Sequence, residues 1–448
     1  MGLAAEPRPA GIARRHVLAA TMGNALEFYD FLTYAFFSIQ IGRAFFPTQS
    51  AYGSLMLSLA TFGAGFVTRP VGALVIGSFS DRIGRRPAMI LSYALMGGSI
   101  VALALIPPFA MIGVAAPVLA ILIRMIQGFS LGGEVGCNTA FLTEAASPRR
   151  RGLVVSWQGA SQFIAAAAAS LVGLMLTQLL PGALFEAYGW RIAFLLGALT
   201  LPFGLWLRRN LPETLHDPTT DRIAPRGDEG RLQTAWRCRR VIVLGLVVLG
   251  AGTIGTYIFQ YIATYAQATL HMQASSAFSA QLVGYALSIG ALLMGGWLSD
   301  RVGRRPVIIW ANLAFLLLIY PVFLWITETR SDVALVIGVA GLTFVSNFTG
   351  GAFFAALSES LPKTIRGGGF ALVYALSISA LGGTTQLIVT WLIHVTGNPI
   401  APAWYLIGAT ALGQIAMMLM PESAPAKIES RGPATPGSPI SATPGLVR

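Results

Sequence analysis

The sequence predicts an all-α membrane protein whose twelve transmembrane helices form two six-helix repeats. Three observations carry that prediction: a composition too apolar for a water-soluble fold, apolar runs of bilayer length between basic loops, and one motif present twice. Hydrophobic residues fill 55% of 448 positions and charged residues 11%, against about 25% charged in ordinary globular proteins. A bilayer core about 30 Å thick takes about 20 apolar residues per helix. Only helices and closed barrels satisfy their backbone groups in lipid, and the alternating pattern of a barrel strand is absent.

Span one covers 17–42. It has no small-residue cleavage site behind a short apolar core, so it is expected to stay as a signal-anchor helix. Spans two and three, 54–79 and 87–107, flank a loop holding Arg82, Arg85 and Arg86. Spans four and five, 113–138 and 152–178, flank Arg149–Arg151. Span six, 189–208, opens on Trp190 and Arg191, and Arg191 is expected to snorkel to headgroups. Spans seven to twelve follow at 240–268, 279–299, 306–327, 333–357, 368–394 and 402–421. The polar, Arg-rich 209–239 reads as a linker between six-helix bundles at 17–208 and 240–421, with a short tail at 1–16. The stretch 422–448 is rich in Pro, Ser, Ala and Gly and is expected to be disordered.

The net charge is +12, carried by 28 Arg and 2 Lys against 18 acidic residues. The basic residues sit in clusters between apolar runs, which excludes a nucleic-acid surface. On one side of the spans lie 25 of them, while Arg43, Arg191 and Arg330 lie on the other. The positive-inside rule then places both termini and the linker in the cytoplasm, with the chain in the cell inner membrane. Two cysteines, Cys137 and Cys238, make no disulfide framework. No phosphate-binding loop, metal-ligand cluster or nucleophile elbow is present. No enzyme activity, cofactor or metal is expected, and an ion gradient would supply the energy. A monomer in lipid is expected.

The halves repeat. Gly-Ser-Phe-Ser-Asp-Arg-Ile-Gly-Arg-Arg-Pro at 77–87 recurs as Gly-Trp-Leu-Ser-Asp-Arg-Val-Gly-Arg-Arg-Pro at 296–306. Glu144, Pro148 and Arg151-Gly152 recur as Glu359, Pro362 and Arg366-Gly367, and Trp190 as Trp404. The offsets stay between 214 and 219, which describes parallel repeats about an axis along the membrane normal.

The duplicated Asp-Arg-x-Gly-Arg-Arg loop resembles the signature of the major facilitator superfamily, and Arg124, Gln127 and Gly128 resemble its second motif. The segment Gly23-Asn24-Ala25-Leu26-Glu27-Phe28-Tyr29-Asp30-Phe31 is similar to the first-helix signature of the metabolite:proton symporter family, as is Arg69-Pro70-Val71-Gly72-Ala73. Phe28 stands where that family usually has Trp. Within the family the chain looks most like the citrate and tricarballylate symporters, through Ser54–Leu57, Gln127–Ser130, Ser156–Gln162 and Tyr257–Tyr265. The resemblance implies the major facilitator fold and proton-coupled uptake of an organic anion. Shikimate, 2-oxoglutarate and osmoprotectants such as betaine or proline are the alternatives within the family. A drug exporter or a non-transporting sensor are alternatives outside it.

Charges inside spans cost about 2.5–3.5 kcal/mol each on insertion scales and line pathways or pair. Asn24, Glu27 and Tyr34 share one face of span one with Asp30 at its edge, and Arg124, Gln127 and Glu134 share a face of span four. Asp30 and Arg124 form either a structural ion pair or a proton-linked one, with Glu27 and Glu134 as competing proton sites. The resemblance makes Arg69 a substrate-anion contact, for which a guanidinium is suited; a packing or gating role beside Pro70 is the alternative. Thr253, Tyr257, Gln260, Tyr261 and Thr264 follow one arc of span seven and read as cavity lining, as do Gln158 and Gln162 in span five. Asn347 and Tyr374 are weaker candidates, and His394 is a further pH-sensitive group. Asp81, Arg85, Asp300 and Arg304 at the cytoplasmic helix ends are candidate gating contacts, with plain topology signalling as the alternative.

The orientation is checked by cysteine labelling, with Cys137 and Cys238 replaced by Ser. A cysteine at Thr329 should react with an impermeant maleimide in intact cells, and one at Thr219 only after permeabilisation. The reverse pattern would overturn the assignment.

Overall fold

The structure, a computed structural model, describes residues 25, 28–83, 85–132, 150–199, 201–202, 236, 238–361 and 373–424. Each of the twelve predicted spans carries helix there. Helix α1 runs through 28–36 and, past a turn at Phe37, Ser38–Phe45. Next come α2 (Ala51–Ile83), α3 (Arg85–Leu105), α4 (Ala115–Leu131) and α5 (Arg151–Leu179). Helix α6 (Trp190–Ala198) follows a π turn at Phe185–Gly189. The second half holds α7 (Arg239–Ala268), α8 (Ala274–Val302), α9 (Arg304–Thr329) and α10 (Asp332–Ser360, with a turn at Thr349). It ends with α11 (Val373–Thr396, through a π turn at Ile378–Gly382) and α12 (Ala401–Leu419). Among the described residues, eight helices are long and apolar enough to cross a bilayer, and α3 and α4 hold shorter apolar stretches.

Several helices outrun their predicted spans. Helix α8 starts at Ala274 rather than 279 and ends at Val302. Hydropathy marks only the part that needs lipid, whereas backbone hydrogen bonding continues until something stops it. Here Gly303 does so with φ +112°, a conformation open to glycine alone at low cost. The chain then turns directly into α9, which explains the glycine of the second Asp-Arg-x-Gly-Arg-Arg copy.

A helix that is apolar all round belongs in an interior. Residues 31–37 of α1 and 257–266 of α7 are buried on every face, so these equivalent helices of the two repeats form the centre. They meet where Ser38 Oγ and Thr264 Oγ1 lie 3.0 Å apart. Large apolar side chains on the outer helices, among them Leu74, Met175, Trp310, Leu317 and Leu412, are exposed, as a lipid-facing surface requires.

Small residues set the closest helix contacts, as expected where lipid removes the hydrophobic drive between helices. On α2 and α4, a Cβ on Gly128 would fall on the Gly65 carbonyl, and one on Gly132 would meet the Arg69 carbonyl. Thr68 Oγ1 donates to the Met125 carbonyl at 2.7 Å across the same contact. Between the halves, Gly152 of α5 lies against Gly296 of α8, and Gly63 of α2 against Gly383 of α11. Arg191 donates to the carbonyls of Ala104 and Ile106 at 2.9 Å each. It satisfies the exit of α3, where the helix dipole favours a cation.

The segment expected to be disordered from 422 begins with ordered residues. Glu422 accepts from the backbone N–H groups of Arg304 (2.9 Å) and Arg305 (3.1 Å) at the start of α9. Residues 1–24, 26–27, 84, 133–149, 200, 203–235, 237, 362–372 and 425–448 lie outside the described residues.

Overpacking a tight interface costs about 1–3 kcal/mol or more. Gly128→Leu should therefore lower the thermal midpoint in detergent, whereas Gly341→Ala, with no neighbour within 4 Å of its added Cβ, should leave it unchanged.

Candidate functional site

Helix α2 brings Arg69 to the centre of the molecule just before Pro70. The proline has no N–H, so the Phe66 carbonyl lacks its helical donor there. The Arg69 guanidinium lies 4.2 Å from the ring centre of Phe66 and 4.8 Å from that of Phe31. Arg124 of α4 comes to the same aromatic cluster, 4.4 Å from Tyr34, 5.1 Å from Phe62 and 5.3 Å from Phe31. Both cations thus touch Phe31, and cation–π attraction of this kind strengthens when desolvated. The rings were not legible as a site from sequence, because phenylalanine in a membrane helix reads as ordinary packing.

Arg124 is fully buried, and its Nη1 donates to Gln127 Oε1 at 2.6 Å. Asp30 is buried too, and its Oδ1 has no hydrogen-bond partner. The direct Asp30–Arg124 ion pair anticipated from the helix faces is not among the ion pairs of the described residues. Arg124 instead turns toward Gln127 and the rings. Neither Arg69 nor Arg124 has a carboxylate within ion-pair distance among the described residues. Asn24, Glu27 and Glu134 lie outside the described residues.

Arg69 also lines a cavity of about 160 Å³ between the halves. Gln162 of α5 lines it from the same half; Thr253, Tyr257 and Gln260 of α7, Asn312 of α9, Asn347 of α10 and Tyr374 of α11 line it from the other. Arg69 faces Tyr257 across the walls, and Gln162 faces Tyr374. The structure divides the sequence-derived set. Arg69, Gln162, Tyr257 and Gln260 share the cavity, while Arg124 and Gln127 sit behind the ring layer. Gln158 is buried in α5 away from that lining.

Tyr261 departs from the predicted arc. It lines a second, outer cavity with Tyr52, Arg43, Glu186, Thr390 and His394, and accepts from Thr390 Oγ1 at 2.9 Å. One face of a long helix passes both cavities in turn, so a shared arc does not mean a shared site. In the outer cavity His394 stacks on Tyr52 at 3.8 Å, across the halves. Arg43 pairs with Glu186 at 2.6 Å; an exposed pair of this kind contributes at most about 1 kcal/mol.

At the opposite end Asp300 of α8 accepts from the backbone N–H of Gly152 (2.8 Å) and Leu153 (3.0 Å). These are free donors at the N-terminus of α5, where an anion is favoured. Buried Arg304 holds Asp300 at 2.6 Å and Glu359 of α10 at 3.1 Å. The second motif copy therefore ties α8, α9 and α10 to the first half. In the first copy, Asp81 ends α2 and Arg85 opens α3; their side chains lie outside the described part.

The profile of the Major Facilitator Superfamily matches residues 21–384. A citrate-proton symporter of Salmonella typhi is 37% identical over 412 residues, covering 90% of this chain and 93% of the relative. A proline/betaine transporter of Escherichia coli K12 is 30% identical over 442 residues, covering 95% and 86%. The solved structure of the xylose transporter XylE from E. coli superposes with a TM-score of 0.71 at 16% identity, over 91% of this chain and 97% of that one.

Proposed function

The chain belongs to the Major Facilitator Superfamily, a family of transporters and not of enzymes, and on that premise we propose that it is a proton-coupled symporter for a small organic acid, citrate or a related tricarboxylate. One observation carries the reading: two guanidinium groups, Arg69 and Arg124, converge on one aromatic cluster beside the cavity with no carboxylate partner among the described residues. A guanidinium fork matches a carboxylate, and in a desolvated site the attraction is far stronger than in water. The 37% identical relative is a citrate-proton symporter, which supports the same substrate class.

The neighbouring Asp30 provides the proton site. A buried carboxylate with an unpartnered oxygen is costly in low dielectric. A proton on Asp30 removes its negative charge beside the arginines, so proton and anion neutralise the site together. Arg69 makes the first contact with the acid, and Arg124 acts from behind Phe31 and through Gln127. Gln162 and Tyr257, which line the cavity beside Arg69, offer hydrogen bonds to the acid. Glu27 and Glu134 remain candidate proton sites.

Alternating access needs contacts that close one end and release at the other. Asp300 on the α5 N-terminus, held by Arg304, is the clamp at the end assigned to the cytoplasm, with Asp81 and Arg85 as its equivalents by repeat. Ser38–Thr264 and Tyr52–His394 close the opposite end. In this account both termini face the cytoplasm and the chain acts as a monomer.

Two other readings fit less well. Betaine carries a quaternary ammonium, which is held by open aromatic faces; the faces of Phe31, Phe62 and Phe66 are occupied by guanidinium groups. A drug exporter needs a pocket of roughly 300–1,000 Å³ for drug-sized ligands, against about 160 Å³ here.

Uptake of radiolabelled citrate by intact cells should rise as external pH falls and stop with a protonophore; no uptake of any di- or tricarboxylate would reject the substrate class. Asp30→Asn should insert normally but lose proton-driven accumulation, and accumulation at the wild-type level would remove Asp30 from the proton path. Arg69→Gln should raise the citrate KM by about 10- to 100-fold, as expected for a charged hydrogen bond. Asp300→Asn should open the cytoplasmic end, read as faster labelling of Ser156→Cys from that side.

A further inference from the structure

Three buried polar atoms without a hydrogen-bond partner belong to residues that line the central cavity: Arg69 Nε is from the first half, and the other two are from the second. The Tyr285 hydroxyl of α8 and Gln260 Oε1 of α7 make no hydrogen bond, although both residues line the cavity and are 4% and 5% exposed. Buried polar groups are nearly always satisfied, because an unpaired one has lost its bonds to water without replacement. Each such atom therefore asks for an explanation.

The surroundings hold these atoms in place. The Tyr285 ring stacks on Phe36 of α1 at 6.0 Å and 24°, and on Phe163 of α5 at 6.0 Å and 20°. Gln281, one helical turn before Tyr285, donates its amide to the Gln260 backbone carbonyl at 3.0 Å. The two orphan atoms thus belong to adjacent turns of neighbouring helices, and the stacked rings fix the direction of the Tyr285 phenol. One atom is a phenol that donates, and the other is an amide oxygen that only accepts. A carboxylate satisfies the phenol but not the amide oxygen. A hydroxyl accepts from the first and donates to the second.

We propose that Tyr285 and Gln260 form a hydroxyl-reading subsite, so that the transported acid is a hydroxy acid whose carboxylates face the arginine wall while its hydroxyl faces α7 and α8. This subsite rests on the organic-acid reading above and adds the feature that selects among acids. A site built to bond a hydroxyl discriminates strongly against an analogue lacking it, because its own polar groups are then left unpaired. Tyr285 sits on the second half but is gripped by rings of the first, so the contact forms only when both halves close on the substrate.

The test compares citrate with tricarballylate, which carries the same three carboxylates and no hydroxyl, in purified protein reconstituted into liposomes. Wild type should take up citrate with the lower KM. Tyr285→Phe should raise the citrate KM by about 3- to 10-fold, the range of one hydrogen bond, and leave the tricarballylate KM in place. Gln260→Leu should do the same, since the bond from Gln281 is to the backbone. Thermal midpoints should hold or rise in Tyr285→Phe, because a buried orphan hydroxyl is removed; a merely structural hydroxyl would lower the midpoint and leave selectivity alone. Citrate and tricarballylate transported with a selectivity that neither variant moves would overturn the subsite alone. Wild type that takes up neither acid would overturn the organic-acid reading and the subsite with it.

Discussion

Holding two guanidinium groups inside a bilayer is the constraint on which the rest of this structure depends. Each costs about 2.5–3.5 kcal/mol at a helix centre on insertion scales. The chain meets that cost with aromatic faces. Phe31, Phe62, Phe66 and Tyr34 surround Arg69 and Arg124, and Gln127 accepts a hydrogen bond from Arg124. Rings lower the cost of the cations without neutralising them. Among the described residues no carboxylate pairs with either cation.

The glycine contacts follow from the same constraint. Gly65 packs on the backbone of Arg124, and Gly132 on that of Arg69. The small residues that let α2 and α4 touch are therefore at the heights of the two arginines. Close packing brings both side chains to one ring, and side-chain bulk at either glycine would drive them apart. Around this pair, the second half supplies hydroxyls and amides and, among the described residues, no charged cavity residue. Among the described residues the cavity has a cationic wall at Arg69 and a neutral polar wall opposite it.

Much of this was legible in the sequence. Span length, loop arginines and the repeated Asp-Arg-x-Gly-Arg-Arg loop point to the helices and their pairing. A charge in an apolar helix singled out Asp30, Arg69 and Arg124. What periodicity misses is depth. Tyr257, Gln260 and Tyr261 lie on one arc, yet Tyr261 belongs to the outer cavity. Periodicity also misses which aromatic residues are structural and which hold a cation, since Phe31 and Phe36 share one apolar run. Tyr285 escaped notice because a lone tyrosine in a membrane helix carries no spacing signal; only its missing hydrogen bond marks it. The role of Glu422 escaped because a Pro- and Ser-rich tail hides one residue that accepts from the start of α9.

The account joins an anion and a proton at one site, so coupling is its central claim. Purified protein in liposomes, with no pH gradient and weakly buffered outside medium, tests it directly. Addition of external citrate should make that medium more alkaline as protons enter with the acid, and Asp30→Asn should abolish the change. Citrate that enters with no proton movement, or protons that move on addition of betaine but not of citrate, would contradict the account.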